Sequence, residues 1–414
     1  LSVLLDLTKG VTAMAILDLV FEGGGAKGMV FVGALQELLE EGKHQPGRLL
    51  GTSAGAITAA LLAAGYTSAE MMAALNEKEN GKSIFVGFMG EPAPLTEAEI
   101  RGSAIRSFLK DVNLKFMPDF IENKLDDQIA QGLARHEKYN NLYSFVERGG
   151  WYSAHAFVTW MGRKLDEGQF KGQPRRFSQM TLAQFHAATG NELSVIASDT
   201  TWQRMLVLNH NTAPDLPVVW AVRMSMSIPL IWQEVIWQAA WGSYMRRNVT
   251  DHVIVDGGML SNFPISLFLA PDAGVAKVMG EAKSDSVLGL LIDDRIPVDF
   301  PAERGLIEYE GDPAQLKTVQ RILRLVNTMT MAHDAASIEL FEDHVVRLPA
   351  GGYGVVEFDM SDAKRQALVD AGRAAMKQYL AARPDLFAAT RSIEQPRSKT
   401  EIATDIARDI LAQP

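Results

Sequence analysis

Apolar residues along this chain come in two rhythms: short unbroken runs, and longer segments with an apolar residue at every third or fourth position. Ile16 to Phe21 is a short apolar run ending at glycines, the pattern of a buried strand. Met29 to Glu41 keeps a helical period, with Phe31, Leu35, Leu38 and Leu39 on one face and Gly42 as a stop. RLLGTSAGAITAALLAAGY then predicts a second strand, a turn of small residues and a helix from about Ala54 to near Gly65. Strand, helix, strand, helix is the rhythm of a parallel sheet with helices on its faces, so the expected fold class is α/β.

From about 76 to 179 the pattern weakens, punctuated by Pro92, Pro94, Pro118 and KGQPRR. This stretch reads as an insertion or lid over the sheet, within one domain spanning 1–380. Strand signals return at ELSVIAS, RMLVLN, HVIVD and VLGLLID. A long helix, the strand HVVRLP and a helix around Ser361 to Leu380 follow, and 381–414 is a polar tail.

Composition narrows the chemistry. The 414 residues carry a formal net charge of −10, which argues against a nucleic-acid partner, because neutralising phosphates needs a basic field. With no cysteine in the chain, disulfides, thiolate metal sites and cysteine nucleophiles are ruled out. No apolar run is long enough for a spanning helix, and the first residues lack the basic start of a signal peptide. The expected location is the cytoplasm or a membrane periphery, with secretion left open.

Gly23, Gly25 and Gly28 fit G-x-G-x-x-G, the dinucleotide fingerprint. That reading needs an acidic residue at the end of the second strand for a ribose hydroxyl. Glu40 and Glu41 instead end a helix, and the strand runs into Gly51-Thr52-Ser53-Ala54-Gly55. A Walker loop fails because Gly28 is followed by Met29. G-x-S-x-G between strand and helix is the pattern of a nucleophile elbow: small neighbours permit the strained turn that lifts a serine hydroxyl above the sheet. The glycine run then serves as a source of backbone N–H groups aimed at an oxyanion.

Serine needs a base. Asp256 ends the apolar strand HVIVD and is followed by Gly257 and Gly258, which leaves its carboxylate at the same sheet edge as Ser53; Asn262 and Pro264 shape the loop beyond. The alternative bases His333 and His344 fall in a helix and at a strand start.

Assembled, GGGAKG at 23–28, GTSAG at 51–55 and DGG at 256–258 resemble the motifs of the patatin-like phospholipases, in that family's order. ERGGWYSAHAFVTWM, TLAQFHAATGNELSVIASDTT and RMSMSIPLIW resemble further family segments, so the likeness spans roughly 16–380. It implies a three-layer α/β/α fold around a mostly parallel sheet, Ser53 as nucleophile and Asp256 as base. It makes the amides of Gly23, Gly24 and Gly25 the oxyanion hole, without deciding which two donate. Lys27 stands where many members carry arginine; Gly28, Gly51, Gly55, Gly257 and Gly258 complete the motifs. The implied substrate is a lipid or other ester, with peripheral membrane contact and no cofactor or metal; the oligomeric state is left open. A histidine-assisted esterase and a non-catalytic lipid-binding regulator are the alternatives.

Two apolar features remain. Trp232, Trp237, Trp241 and Tyr244 precede Arg246 and Arg247, a combination that suits either a membrane interface or, as the favoured reading, a buried hairpin. SIFVGFM at 83–89 and FMPDFI at 116–121 suit a lid, an acyl-chain wall or ordinary packing.

Overall fold

In the computed structural model, which describes residues 15–39, 44–104, 137–270, 272–282, 284, 286–299, 321 and 334–383, the apolar runs become strands. These are β1 (Ala15–Phe21), β2 (His44–Thr52), β3 (Leu193–Asp199), β4 (Arg204–Leu208), β5 (Val235–Ile236), β6 (Val253–Asp256), β7 (Ser286–Pro297) and β8 (Val345–Gly351). They form one eight-stranded sheet in the order β5-β6-β3-β2-β1-β7-β8, with β4 paired to β3. From β3 to β8 every neighbour is parallel, while β4, β5 and β6 make antiparallel pairs. The expected mostly parallel sheet is present.

Alternation along the strands feeds two cores. Leu17, Leu19 and Phe21 of β1 pack with α1 (Val30–Leu39), α2 (Ala54–Ala63) and α6 (Asp362–Ala382), through Phe31, Leu35, Ala59, Leu368 and Met376. Val20 points the other way, to a cluster with Leu50, Ile196, Phe263, Leu267, Val275 and Val278. A sheet buried on both faces explains the near-continuous apolar runs and makes the architecture three-layer α/β/α. The single charge inside the first run, Asp18, is buried against Arg48 of β2, whose Nε donates to it at 2.7 Å and whose backbone N–H does so at 2.7 Å. A buried carboxylate is tolerable only when paired in this way.

Three further helices matter to the site: α3 (His155–Asp166), α4 (Leu182–Thr189) and α5 (Val218–Ser225). Phe85, Phe88, Phe157 and Trp160, from the expected insertion, join the same buried cluster as α1 and α2. Trp232, Trp237, Trp241 and Tyr244 are buried and Arg246 and Arg247 exposed, so the packing reading of that segment holds. FMPDFI, Gly42, His333, most of the expected long helix and the tail from 384 lie outside the described residues. No helix among the described residues is long and apolar enough to cross a membrane.

One edge of β3 deserves separate description because the site grows from it. β4 covers the other edge from Val195 to Asp199, so β2 and β6 share this one. β2 runs parallel to β3 and ends with Thr52 opposite Ile196; β6 runs antiparallel and ends with Asp256 opposite Ala197. The two strands therefore meet head to head, carboxyl end against carboxyl end. The sequence expectation placed Asp256 at the same sheet edge as Ser53 by reading its strand as parallel. The residues do converge, but by antiparallel approach.

Candidate active site

Ser53 follows β2 directly and caps α2 with φ 52° and ψ −119°, a left-handed conformation that costs energy for any residue but glycine. Packing holds it there. A Cβ at Gly51 would collide with the Gly55 carbonyl, and one at Gly55 would collide with the Phe21 carbonyl and stand 2.7 Å from that of Glu22. Both glycines are thus required by close approach of backbone. The Ser53 amide donates to Ser225 Oγ of α5 at 2.9 Å, while the Ser53 hydroxyl makes no capping bond to the helix.

Asp256 is buried. Its Oδ1 accepts the Gly258 N–H at 2.7 Å and its backbone N–H donates to the Ser227 carbonyl at 2.9 Å. Oδ2 is buried without a hydrogen bond of ordinary geometry. Burial pushes the carboxyl up to about 7, against the opposing pull of the neighbouring Ser53 hydroxyl and the Gly258 amide. The Ser53 hydroxyl thus sits close enough to influence the carboxyl, although no hydrogen bond of ordinary geometry joins it to Oδ2.

The glycine loop lies beside them, since β1 and β2 are parallel neighbours. Gly23 packs edge-on: a Cβ there would collide with Asn262 Oδ1 and stand 3.1 Å from Ser53 Cβ. Its N–H donates to the Asn262 carbonyl at 3.2 Å, and its own carbonyl accepts Asn262 Nδ2 at 2.8 Å. The Ala26 and Lys27 amides are also committed, to Val355 and Gly24 carbonyls. Among the described residues, the Gly24 and Gly25 amides donate to no protein acceptor. Gly28 packs against Ala54, one residue past the serine, with no room for a Cβ.

Several supporting residues carried no role in the sequence reading. Asn262 Nδ2 also donates to Glu22 Oε1 at 3.1 Å, and Glu22 Oε2 accepts the Ile292 N–H at 2.6 Å. Burial, aided by the nearby Asp334, pushes Glu22 up to about 8. Asp334 itself accepts from Ser261 Oγ at 2.8 Å and from the Asn262 and Phe263 amides at 2.7 and 2.8 Å, holding the loop after Asp256. Lys27 is neither a surface cation nor a free one: it is buried, with Nζ 2.6 Å from Asp294 Oδ2.

Ser53 and Gly25 open onto an apolar cavity of about 80 Å³, lined also by Met29, Ile57, Leu61, Met71, Phe85, Phe88, Trp160, Met226, Trp232 and Phe358. SIFVGFM thus lines the cavity through Phe85 and Phe88. Among the described residues no histidine bonds Ser53 or Asp256. His344 donates from Nδ1 to the Val287 carbonyl at 3.0 Å, at the amino end of the parallel strands, and His252 pairs with Asp199 at 2.7 Å. His186, Glu192 and His210 also gather, near the amino end of β3. Their rings stack at 3.8 Å and 3° from parallel, so no single ion lies in both ring planes as metal ligation requires.

Residues 19–269 match the family of patatin-like phospholipases, and the chain belongs to that family, one of lipid hydrolases. The uncharacterized protein YqhO of Bacillus subtilis is 28% identical over 372 residues, covering 88% of this chain and 98% of YqhO. Among solved structures, VipD of Legionella pneumophila aligns with a TM-score of 0.43 at 16% identity, over 96% of this chain and 75% of VipD. The type III effector ExoU aligns with a TM-score of 0.36 at 17% identity, over 89% of this chain and 53% of ExoU. At these scores the likeness adds no argument to the sheet order above.

Proposed function

We propose that this chain is a serine acyl hydrolase that cleaves carboxylic esters of lipids with a Ser53–Asp256 dyad. The observation that carries the reading is the meeting of a strained, uncapped serine with a buried carboxylate whose Oδ2 has no other partner. Asp256 Oδ2 takes the Ser53 proton as Oγ forms a bond to the ester carbonyl carbon. Negative charge collects on the former carbonyl oxygen, where the Gly24 and Gly25 amides donate, while the committed Gly23 amide fixes the loop. The tetrahedral intermediate breaks its ester C–O bond, and Asp256 returns the proton to the leaving alcohol. In the second half Asp256 takes a proton from water, the resulting hydroxide attacks the acyl-enzyme, and Ser53 is released with its proton and the free acid. The amino end of α2 adds favourable potential beside Ser53.

A carboxyl near 7 suits this cycle, because a base works best with a proton affinity near the working pH. The test is intact mass after a fluorophosphonate probe, on wild type and Ser53→Ala. One adduct on wild type, absent from the variant, is expected. No adduct on wild type shifts the reading to a non-catalytic lipid binder. Turnover that survives excess chelator and His344→Ala is expected as well; its loss on His344→Ala would return a histidine to the mechanism.

A further inference from the structure

We propose that Phe88 and Trp160 form the end wall of the acyl pocket and bias this lipid hydrolase toward esters of short acyl chains, an inference that rests on Ser53 being the nucleophile. Two cavities meet at these rings. The first, about 80 Å³, begins at Ser53 and is apolar. The second, about 510 Å³, is bordered by Glu77, Lys78, Glu79 and Arg163. Phe88 and Trp160 line both, their ring centroids 5.2 Å apart, so they stand between the two spaces.

The wall is braced on every side. Trp160 Nε1 donates to Glu77 Oε2 at 3.2 Å, and the Phe88 carbonyl accepts Trp232 Nε1 at 3.0 Å. Phe85 meets the Phe88 ring edge-on at 5.2 Å, and Phe157 meets it at 5.3 Å from behind. Trp160, held by its own side-chain bond, and Phe88, packed between neighbouring rings on an anchored backbone, do not swing aside freely.

Size then sets the limit. A cavity of this volume is roughly half the ~150 Å³ that encloses a benzene molecule, so it takes a few carbons beyond the carbonyl. A longer chain must displace these packed rings to reach the second space.

The test is kcat/KM for p-nitrophenyl butyrate, octanoate and palmitate on wild type, Phe88→Ala, Phe88→Leu and Trp160→Leu. Wild type is expected to favour butyrate over palmitate by tenfold or more, on the order of what pocket contacts discriminate, and the wall variants to reduce that ratio about tenfold. Phe185→Leu is the control: Phe185 packs edge-on against Phe177 and lines neither cavity, so the change lowers Tm and leaves the ratio in place. If Phe88→Ala does not fold by its thermal melt, Phe88→Leu and Trp160→Leu carry the comparison. A wild type that cleaves palmitate as fast as butyrate, or wall variants that keep the wild-type ratio, overturns the proposal while a labelled Ser53 leaves the dyad standing. Absence of turnover at every chain length together with an unlabelled Ser53 overturns the dyad itself, and the wall with it.

Discussion

Ser53 and Asp256 end two strands that pair with the same edge of β3, yet the turn after Ser53 is shaped by its immediate neighbours and the loop after Asp256 by distant ones. Gly51 and Gly55 leave room for the chain to turn sharply at Ser53, and α2 begins at once. Asp256 depends on the Ser227 carbonyl, and its loop is gathered by Asp334, more than seventy positions away. Asn262 joins the two halves, touching Gly23 by both backbone and side chain. A serine can thus be turned out by a short motif, whereas a buried carboxylate such as Asp256 has to be held by the rest of the fold.

Experiments that break this comparison rank by expected effect. Ser53→Ala removes the proposed nucleophile and should lower kcat by about 10⁴-fold or more, with little change in Tm, because alanine keeps the Cβ that strains the turn. Asp256→Asn should lower kcat by about 10³- to 10⁴-fold while raising Tm at pH 8. The sign follows from linkage. A carboxyl raised from 3.8 to about 7 is stabilised in its protonated form, so ionised Asp256 costs the fold stability as pH rises from 3.8 through 7. The gain from Asn should therefore be full above pH 7 and shrink as pH falls toward 4; a Tm gain that does not vary with pH would contradict a raised carboxyl. In wild type kcat/KM should rise with pH through about 7, as the base loses its proton.

Asn262→Ala should lower kcat by roughly a hundredfold, the scale of a misplaced reacting group, although Asn262 takes part in no bond-making step. Gly23→Ala should match it, since the new methyl meets Asn262 and Ser53, whereas Gly24→Ala meets only the tip of Ile292, which can turn away. Ser225→Ala leaves the Ser53 amide unpaired in a buried site and should cost about 1–3 kcal/mol by denaturant melt. The smallest effect belongs to Lys27→Met. Its partner Asp294 is largely exposed, so KM for anionic and neutral esters should move together and little; a loss selective for anionic substrates would give Lys27 a headgroup role.

The same contrast explains what the sequence made legible. Runs such as Ile16–Phe21 and VLGLLID announced themselves because a strand buried on two faces cannot alternate. GTSAG was readable because its constraint is local. The antiparallel direction of β6 was not, since a four-residue strand carries no mark of orientation. Ser225, Ser227, Glu22 and Asp334 stayed hidden because their significance lies in bonds spanning up to 270 positions. Asp18, the charge inside that first run, is intelligible only with Arg48 beside it. Asp256 was legible as a residue but not as a base near neutrality, because burial is a property of the whole fold.

The head-to-head meeting of β2 and β6 makes β3 a ruler. The ends of the two strands, Thr52 opposite Ile196 and Asp256 opposite Ala197, stand one residue step apart along a single extended backbone, roughly 3.3 Å. Pocket walls that do not touch this junction can be exchanged without altering that step, whereas the loop carrying Asn262, which Asp334 gathers, has to be kept. Engineering of this chain can therefore work on the cavity lining while leaving β3 and that loop intact.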